Sequence, residues 1–343
     1  MTTPLGDART GPGRDMSPAR SRVELAPRLR VALAPRPGRR AALMPYLTGG
    51  YPDLETCGAL LATCVEAGAD VLEIGVPFSD PVADGPVVQA SSHAALELGT
   101  TTDDVLRLAA TVADRLPIVL LAYANTALAG GADRFARRAV AAGVEGVVVP
   151  DLPVDEAGEA AGLMAAAGLS LVPMATPTAT DRRLDMVAEA ASSFIYCVAV
   201  TGVTGARSQV GDELAGLIDR LRRRTDVPLV VGFGISTPQQ AVQVAELADG
   251  VIIGSALIAR IAAAVESPGT ASSAPAARGV EATTMRAREA AEELVAAAHM
   301  ALTTEAPWGG AEAPQGAAPR SGGAAGSGAE ARGAAPEGSE ERT

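Results

Sequence analysis

Residues 53–77 read DLETCGALLATCVEAGADVLEIGVP, and a change of rhythm within this stretch decides the architecture. Asp53 follows Pro52 and offers a side-chain oxygen where the first free amides of a helix need a cap. An Ala/Leu-rich amphipathic segment follows, and Gly68 stands just past its end, where a left-handed backbone suits glycine. Residues 70–77 are then almost continuously apolar rather than alternating, as a strand covered on both faces must be.

Working outward, the same unit recurs. Apolar runs occupy 42–48, 70–77, 118–123, 146–152, 169–176, 194–200, 228–235 and 250–257, which makes eight. Between them lie helical stretches with their own start signals, at Thr102 with Asp103 and Asp104, at Asp181, and at Thr237-Pro238. The phrase AAGVEG at 141–146 repeats the helix-to-strand transition of AGAD at 67–70. Eight strands alternating with helices predict a (β/α)8 TIM barrel. A doubly wound open sheet competes, but it normally has fewer strands and a G-x-G-x-x-G turn after the first; here that turn reads LTGGYPD.

The bulk numbers agree with one large domain carrying tails. The chain has 343 residues, 48% of them hydrophobic. Residues 1–40 hold nine Arg against three acids among scattered Pro and Gly, and are expected to be a disordered extension. Residues 304–343 are expected to be a disordered Ala/Gly/Glu-rich tail, leaving the barrel at 41–303. Net charge is −12, and residues 41–265 carry 13 Arg against 26 acids, so nucleic acid is excluded as a partner on charge.

All 28 basic residues are arginine, which rules out a lysine Schiff base as a means of breaking a carbon–carbon bond. Cys57, Cys64 and Cys197 are too few and too irregular for a disulfide framework and read as buried thiols in a reducing cytosol. With only His93 and His299, no metal site is expected. No apolar run reaches the roughly 18 residues of a membrane span, and the Arg/Pro-rich start lacks the apolar centre of a secretory signal, so a cytoplasmic location is expected.

In a TIM barrel the chemistry sits where strands end. Glu73 lies inside the second run, in Val-Leu-Glu-Ile-Gly, where a buried charge is costly unless paired or used. A carboxyl group in such a place has a raised pKa, which suits proton transfer near neutrality. The competing reading is a structural carboxylate satisfied by neighbouring donors. Asp84 follows in a loop stiffened by Pro81 and ended by Gly85, and two carboxyls at one pocket can divide acid and base work. A loop aspartate also serves commonly as a turn or cap residue. Glycines cluster after the last three runs, at 202–205, at Gly232 and Gly234, and at Gly254 before Ser255. Such loops bring backbone amides close to an anion, and the loops after strands seven and eight are this fold's recurrent phosphate site. A small phosphorylated substrate is expected.

The segment Glu73-Ile74-Gly75-Val76-Pro77-Phe78-Ser79-Asp80-Pro81-Val82-Ala83-Asp84-Gly85-Pro86 closely resembles the signature of tryptophan synthase alpha chains. The resemblance continues at Pro45-Tyr46, Tyr123-Ala124-Asn125, Pro150-Asp151-Leu152-Pro153, Gly202-Val203-Thr204-Gly205, Gly232-Phe233-Gly234-Ile235-Ser236 and Gly254-Ser255. It covers about 41–265, with a closing helix near 281–302.

The resemblance implies a lyase that splits indole-3-glycerol phosphate into indole and glyceraldehyde 3-phosphate. It implies that Glu73 is the general acid/base and that Asp84 holds the indole N–H. Tyr46, Leu121, Tyr123 and Phe233 would line the indole pocket, with Tyr196 near the reacting centre. Gly205, Gly234, Gly254 and Ser255 would bind phosphate, and Thr204 would belong to a mobile loop closing over substrate. Asp80, Asn125 and Pro153 would face a beta chain in an alpha2beta2 heterotetramer, with pyridoxal phosphate on that partner and no cofactor in this chain. One departure stands out: Val200 and Thr201 precede the G-V-T-G segment where some members carry Arg, so no arginine contribution to loop closure carries over. A related indole-glycerol-phosphate synthase would rely on lysines, and a purely regulatory subunit would be expected to have lost Glu73 or Asp84. A stand-alone lyase releasing free indole is separated only by assay.

Overall fold

The computed structural model describes residues 25–199, 207–232, 234–266 and 276–303. Its strands are β1 (Ala42–Thr48), β2 (Leu72–Gly75), β3 (Ile118–Leu121), β4 (Val144–Val148), β5 (Ser170–Val172), β6 (Met174–Ala175), β7 (Ile195–Val198), β8 (Leu229–Gly232) and β9 (Gly250–Ile253). Every ladder is parallel, in the order β5-β4-β3-β2-β1-β9-β8-β7-β6. The two ends of that order, β5 and β6, are separated along the chain by Pro173 alone. Proline has no amide hydrogen to continue a ladder, but its carbonyl still accepts from Tyr196 N at 3.0 Å. β5 and β6 are therefore one barrel strand broken at a proline, and the sheet closes on itself. Counted this way the eight expected runs make the eight strands of a (β/α)8 barrel.

The caps follow the local chemistry. Asp53 accepts from Thr56 N at 2.8 Å to open the helix Leu54–Glu66, and Thr237 accepts from Gln240 N at 3.2 Å. Two helices start where expected, at Thr102 and Asp181, with the cap on the residue before. Thr101 caps the helix Thr102–Ala110 in a reciprocal box with Asp104, and Thr180 caps Asp181–Ala190. In both, a hydroxyl takes the cap and the acid moves into the first turn, where it faces the positive end of the helix dipole. Gly68 and Gly143 take φ of 98° and 80° after their helices. The eighth run is also shorter than its apolar pattern: β9 stops at Ile253 and a helix runs Ser255–Glu266.

The expectation of a disordered extension through residue 40 is corrected for residues 25–40. Pro27–Leu33 is a helix whose Leu29, Ala32 and Leu33 are buried. Leu29 packs on Gly146 in β4 and Leu33 on Gly250 at the start of β9, closing the barrel at the end where strands begin. Glu145 Oε2 accepts from the free amides of Arg28 and Leu29, at 3.1 and 3.2 Å. The arginines of this segment hid an i, i+3, i+4 apolar stripe. Residues 1–24 and the tail expected from 304 lie outside the described residues. The long helix Ala276–Thr303 buries Ala287, Ala291, Leu294, Val295, Ala298 and Leu302 against the barrel's outer helices. Arg40 N donates to Leu302 O at 2.9 Å, so the last helix is tied to the chain entering β1. All three cysteines are free and buried, and burial pushes their thiols up to about 11 for Cys57 and about 12 for Cys64 and Cys197.

Candidate active site

Tyr46 in β1 and Glu73 in β2 are lateral partners in their ladder, so both side chains leave the sheet at the same height. They open onto a cavity of about 210 Å³. Asp84, Leu121 and Tyr196 line it beside them, and Gly234, Gly254 and Ser255 complete its rim. The structure thus brings eight of the expected site residues to one cavity. Thr204, Gly205 and Phe233 lie outside the described residues.

Glu73 is 1% exposed, and neither of its carboxyl oxygens has a hydrogen-bond partner among the described residues. The structural-carboxylate reading requires donors on those oxygens, and the described residues supply none. Burial, and secondarily the charge of Asp84, push the Glu73 carboxyl from 4.5 up to about 8. Asp84 rises from 3.8 to about 6 by burial, opposed by a hydrogen bond from Tyr123. The two carboxyls therefore separate near neutral pH: Asp84 is the ionised member and Glu73 holds its proton.

The loop carrying Asp84 is braced from three sides. Tyr123 Oη donates to Asp84 Oδ2 at 3.1 Å and accepts from Ala83 N at 3.0 Å. Its ring stacks on Phe78 at 4.9 Å between centroids. Tyr123 thus stands behind the aspartate, and it is not among the described cavity-lining residues where the resemblance put it. Gln89 Nε2 donates to Asp84 O at 2.9 Å, and Ser92 Oγ accepts from Phe78 N at 2.9 Å. Gln89 and Ser92, with the apolar walls Val88 and Ile252, were not singled out from the sequence. The buried serines Ser91 and Ser92, side by side in the helix Pro86–Glu97, were the available signal.

Two tyrosines are seated the same way. Tyr46 pairs with Glu73 and lays its ring over Gly75, two residues further along β2; Tyr196 pairs with Val230 and lays its ring over Gly232 in β8. In each case a Cβ on the glycine would fall 2.7 Å from the tyrosine Cζ, so only glycine admits the ring. Burial raises both phenols, and the charges of Asp84 and Glu73 add to it.

At the rim, Gly234 has φ of 80°, which favours glycine. Gly254 precedes the helix Ser255–Glu266, and a Cβ there would lie 3.3 Å from Tyr46. The amides of that first turn have no partner within their own helix, and the dipole makes the spot favourable for an anion. Asp80, Asn125 and Pro153 do not reach the cavity. All three are exposed, Asp80 and Pro153 in the loops after β2 and β4 and Asn125 in the short helix Ala124–Leu128 after β3, and Ala124 N donates to Asp151 Oδ1 at 2.7 Å to join that helix to the loop after β4. His93 is exposed beside Glu97 on the outer side of its helix.

A family model described as "Tryptophan synthase alpha chain" matches residues 34–289. The tryptophan synthase alpha chain of Geobacter sp. (strain M21) is 50% identical over 219 residues, 63% of this chain and 82% of that protein. That of Geotalea daltonii is 47% identical over 222 residues, 64% of this chain and 84% of that one. The crystal structure of tryptophan synthase subunit alpha from Legionella pneumophila str. Paris aligns with a TM-score of 0.69 at 33% identity, covering 80% of this chain and 98% of that chain.

Proposed function

The chain belongs to the tryptophan synthase alpha chain family, and from that membership we propose how its cavity works as a carbon–carbon lyase. The family's reaction is the aldol cleavage of indole-3-glycerol phosphate to indole and glyceraldehyde 3-phosphate in tryptophan biosynthesis. One observation carries its assignment to these residues: a buried Glu73 with no hydrogen-bond partner among the described residues shares with Asp84 a cavity that Gly234, Gly254 and Ser255 also line.

Cleavage requires a proton on indole C3 and loss of the proton on the hydroxyl of the adjoining glycerol carbon. Glu73 is the acid for the first and, once deprotonated, the base for the second, so it ends as it began. Protonation at C3 makes the ring cationic, and Asp84 accepting from the ring N–H stabilises that charge as it forms. Tyr123 holds Asp84 to this task. Positioned acid/base catalysis of this kind typically contributes about 10²–10⁴-fold. Leu121 and Tyr196 pack against the ring. Gly234, Gly254 and Ser255 are assigned to the phosphate; the family resemblance adds Gly205 as a phosphate binder, Thr204 as part of the closing loop and Phe233 as pocket lining, all three outside the described residues. Binding energy from the phosphate end then holds the reacting end in place.

The family implies a beta-chain partner, on which pyridoxal phosphate belongs. This chain has no lysine and so no side-chain amine to form an imine with that cofactor. We assign docking to the exposed face bearing Asp80, Asn125 and Pro153, in an alpha2beta2 heterotetramer in the cytoplasm. No helix among the described residues is long and apolar enough to cross a membrane.

Indole release from indole-3-glycerol phosphate, measured with and without the beta chain, tests the reading. The chain should release indole, severalfold faster with its partner, and Glu73→Gln should nearly abolish release while still binding substrate. A Glu73→Gln chain that kept most of its rate would overturn the acid/base assignment.

A further inference from the structure

The cavity wall contains a chain of buried hydroxyls whose direction is fixed by proton count. Ser91 Oγ donates its one hydrogen to Val88 O at 2.8 Å. Its contact with Thr48 Oγ1, at 2.7 Å, must therefore use the threonine's hydrogen. Thr48 then has none left, so the 3.4 Å contact between Tyr46 Oη and Thr48 Oγ1 uses the tyrosine's hydrogen. The phenolic proton of Tyr46 is thus directed toward Thr48, and the oxygen keeps a lone pair with which to accept. No other hydrogen bond to this oxygen occurs among the described residues.

The placement of that acceptor is specific. The Cβ end of Tyr46 rests 3.3 Å from the Cβ position of Gly254 at the rim, and its hydroxyl end lies over Gly75, close enough to Glu73 and Asp84 to feel both charges. The side chain spans the cavity from the rim to the carboxyls. A substrate with phosphate at one end and an aromatic ring at the other must lay its linking carbons along it. Glu73 serves the hydroxyl on the carbon that separates from indole, and Asp84 is committed to the ring N–H. Tyr46 Oη is a further acceptor, free for the other hydroxyl of the linker.

We propose that Tyr46, oriented by the Thr48–Ser91 hydroxyl chain, is a specificity-determining residue whose phenolic oxygen accepts a hydrogen bond from a hydroxyl of the substrate's polyol linker. This rests on the lyase reading above and adds the group that recognises the linker. Thr48 and Ser91 never touch substrate; they are positioning residues, and they act by claiming the phenolic proton.

The test uses the full-length Glu73→Gln chain, which binds without cleaving, and two ligands. One is indole-3-glycerol phosphate; the other has the same indole and phosphate joined by a plain three-carbon linker without hydroxyls. Tyr46→Phe and Thr48→Val should each weaken binding of the first by about five- to tenfold, the effect of one hydrogen bond, and leave the second unchanged. Thr48→Ser should restore the parent value. Equal losses for both ligands would mean that the variants merely distort the cavity, and no loss for either would mean the oxygen is unused; both outcomes overturn the proposal. Failure of the lyase reading shows separately, as absence of indole release from the unsubstituted chain.

Discussion

Tyr123 donates to Asp84 Oδ2 at 3.1 Å and accepts from Ala83 N at 3.0 Å, so a single phenol fixes both the position and the charge of the aspartate. Its hydrogen bond lowers the Asp84 pKa against the larger effect of burial. Tyr123→Phe keeps the stack on Phe78 but loses the bond, so Asp84 should ionise at higher pH. The rising limb of kcat/KM should shift upward in pH and the rate near pH 7 should fall, with little change in melting temperature. A limb that stays in place would show that Asp84 is not the group ionising there.

In the parent chain, kcat/KM should be bell-shaped. It should rise through about 6 as Asp84 ionises and fall through about 8 as Glu73 loses its proton. Rates across this range, with Asp84→Asn abolishing the lower limb, test the division of labour between the two carboxyls.

The same burial has a cost in stability. Glu73 has a folded pKa of about 8 against an ordinary 4.5, so the fold favours its neutral form. That contribution is complete below pH 4.5 and is lost as pH rises to about 8. Glu73→Gln is neutral throughout, so its melting temperature should exceed the parent's by a margin that widens across this interval. A constant margin would mean that the carboxyl is not buried as described.

Gly75 admits the Tyr46 ring, and a methyl there would overlap its hydroxyl end. Gly75→Ala should cost about 1–3 kcal/mol of stability through overpacking. It should lower activity by more than that loss explains, because the displaced ring sits against the acid/base pair. Denaturant unfolding alongside indole release separates the two effects.

Leu29 is fully buried beneath the barrel. Leu29→Ala should cost about 2–5 kcal/mol in denaturant unfolding, as large-to-small core changes do. An unfolding midpoint identical to the parent's would show that the N-terminal helix does not stay docked.

Much of this architecture was legible in order along the chain. Helix caps, the glycines after helices and the continuous apolar runs are local signals, set by residues within a few positions of each other, and they specified a βα alternation. Glu73 was visible for the same reason: a carboxylate within Val-Leu-Glu-Ile-Gly contradicts its neighbours. The helix Pro27–Leu33 was not visible, because its Leu29 and Leu33 become core only when the start of a barrel is there to receive them. The break of one strand at Pro173 was hidden within an apolar run.

Which residues carry acidic or apolar chemistry, and on which kind of element, is a property of short-range pattern and was determined by the sequence alone. Closure of the sheet decided the rest. It set the Tyr123 hydroxyl on Asp84, and it brought Ser91, 43 residues from Thr48, to within 2.7 Å of it. Such pairings depend on how neighbouring strands and helices register in space, a long-range condition that no local spacing encodes.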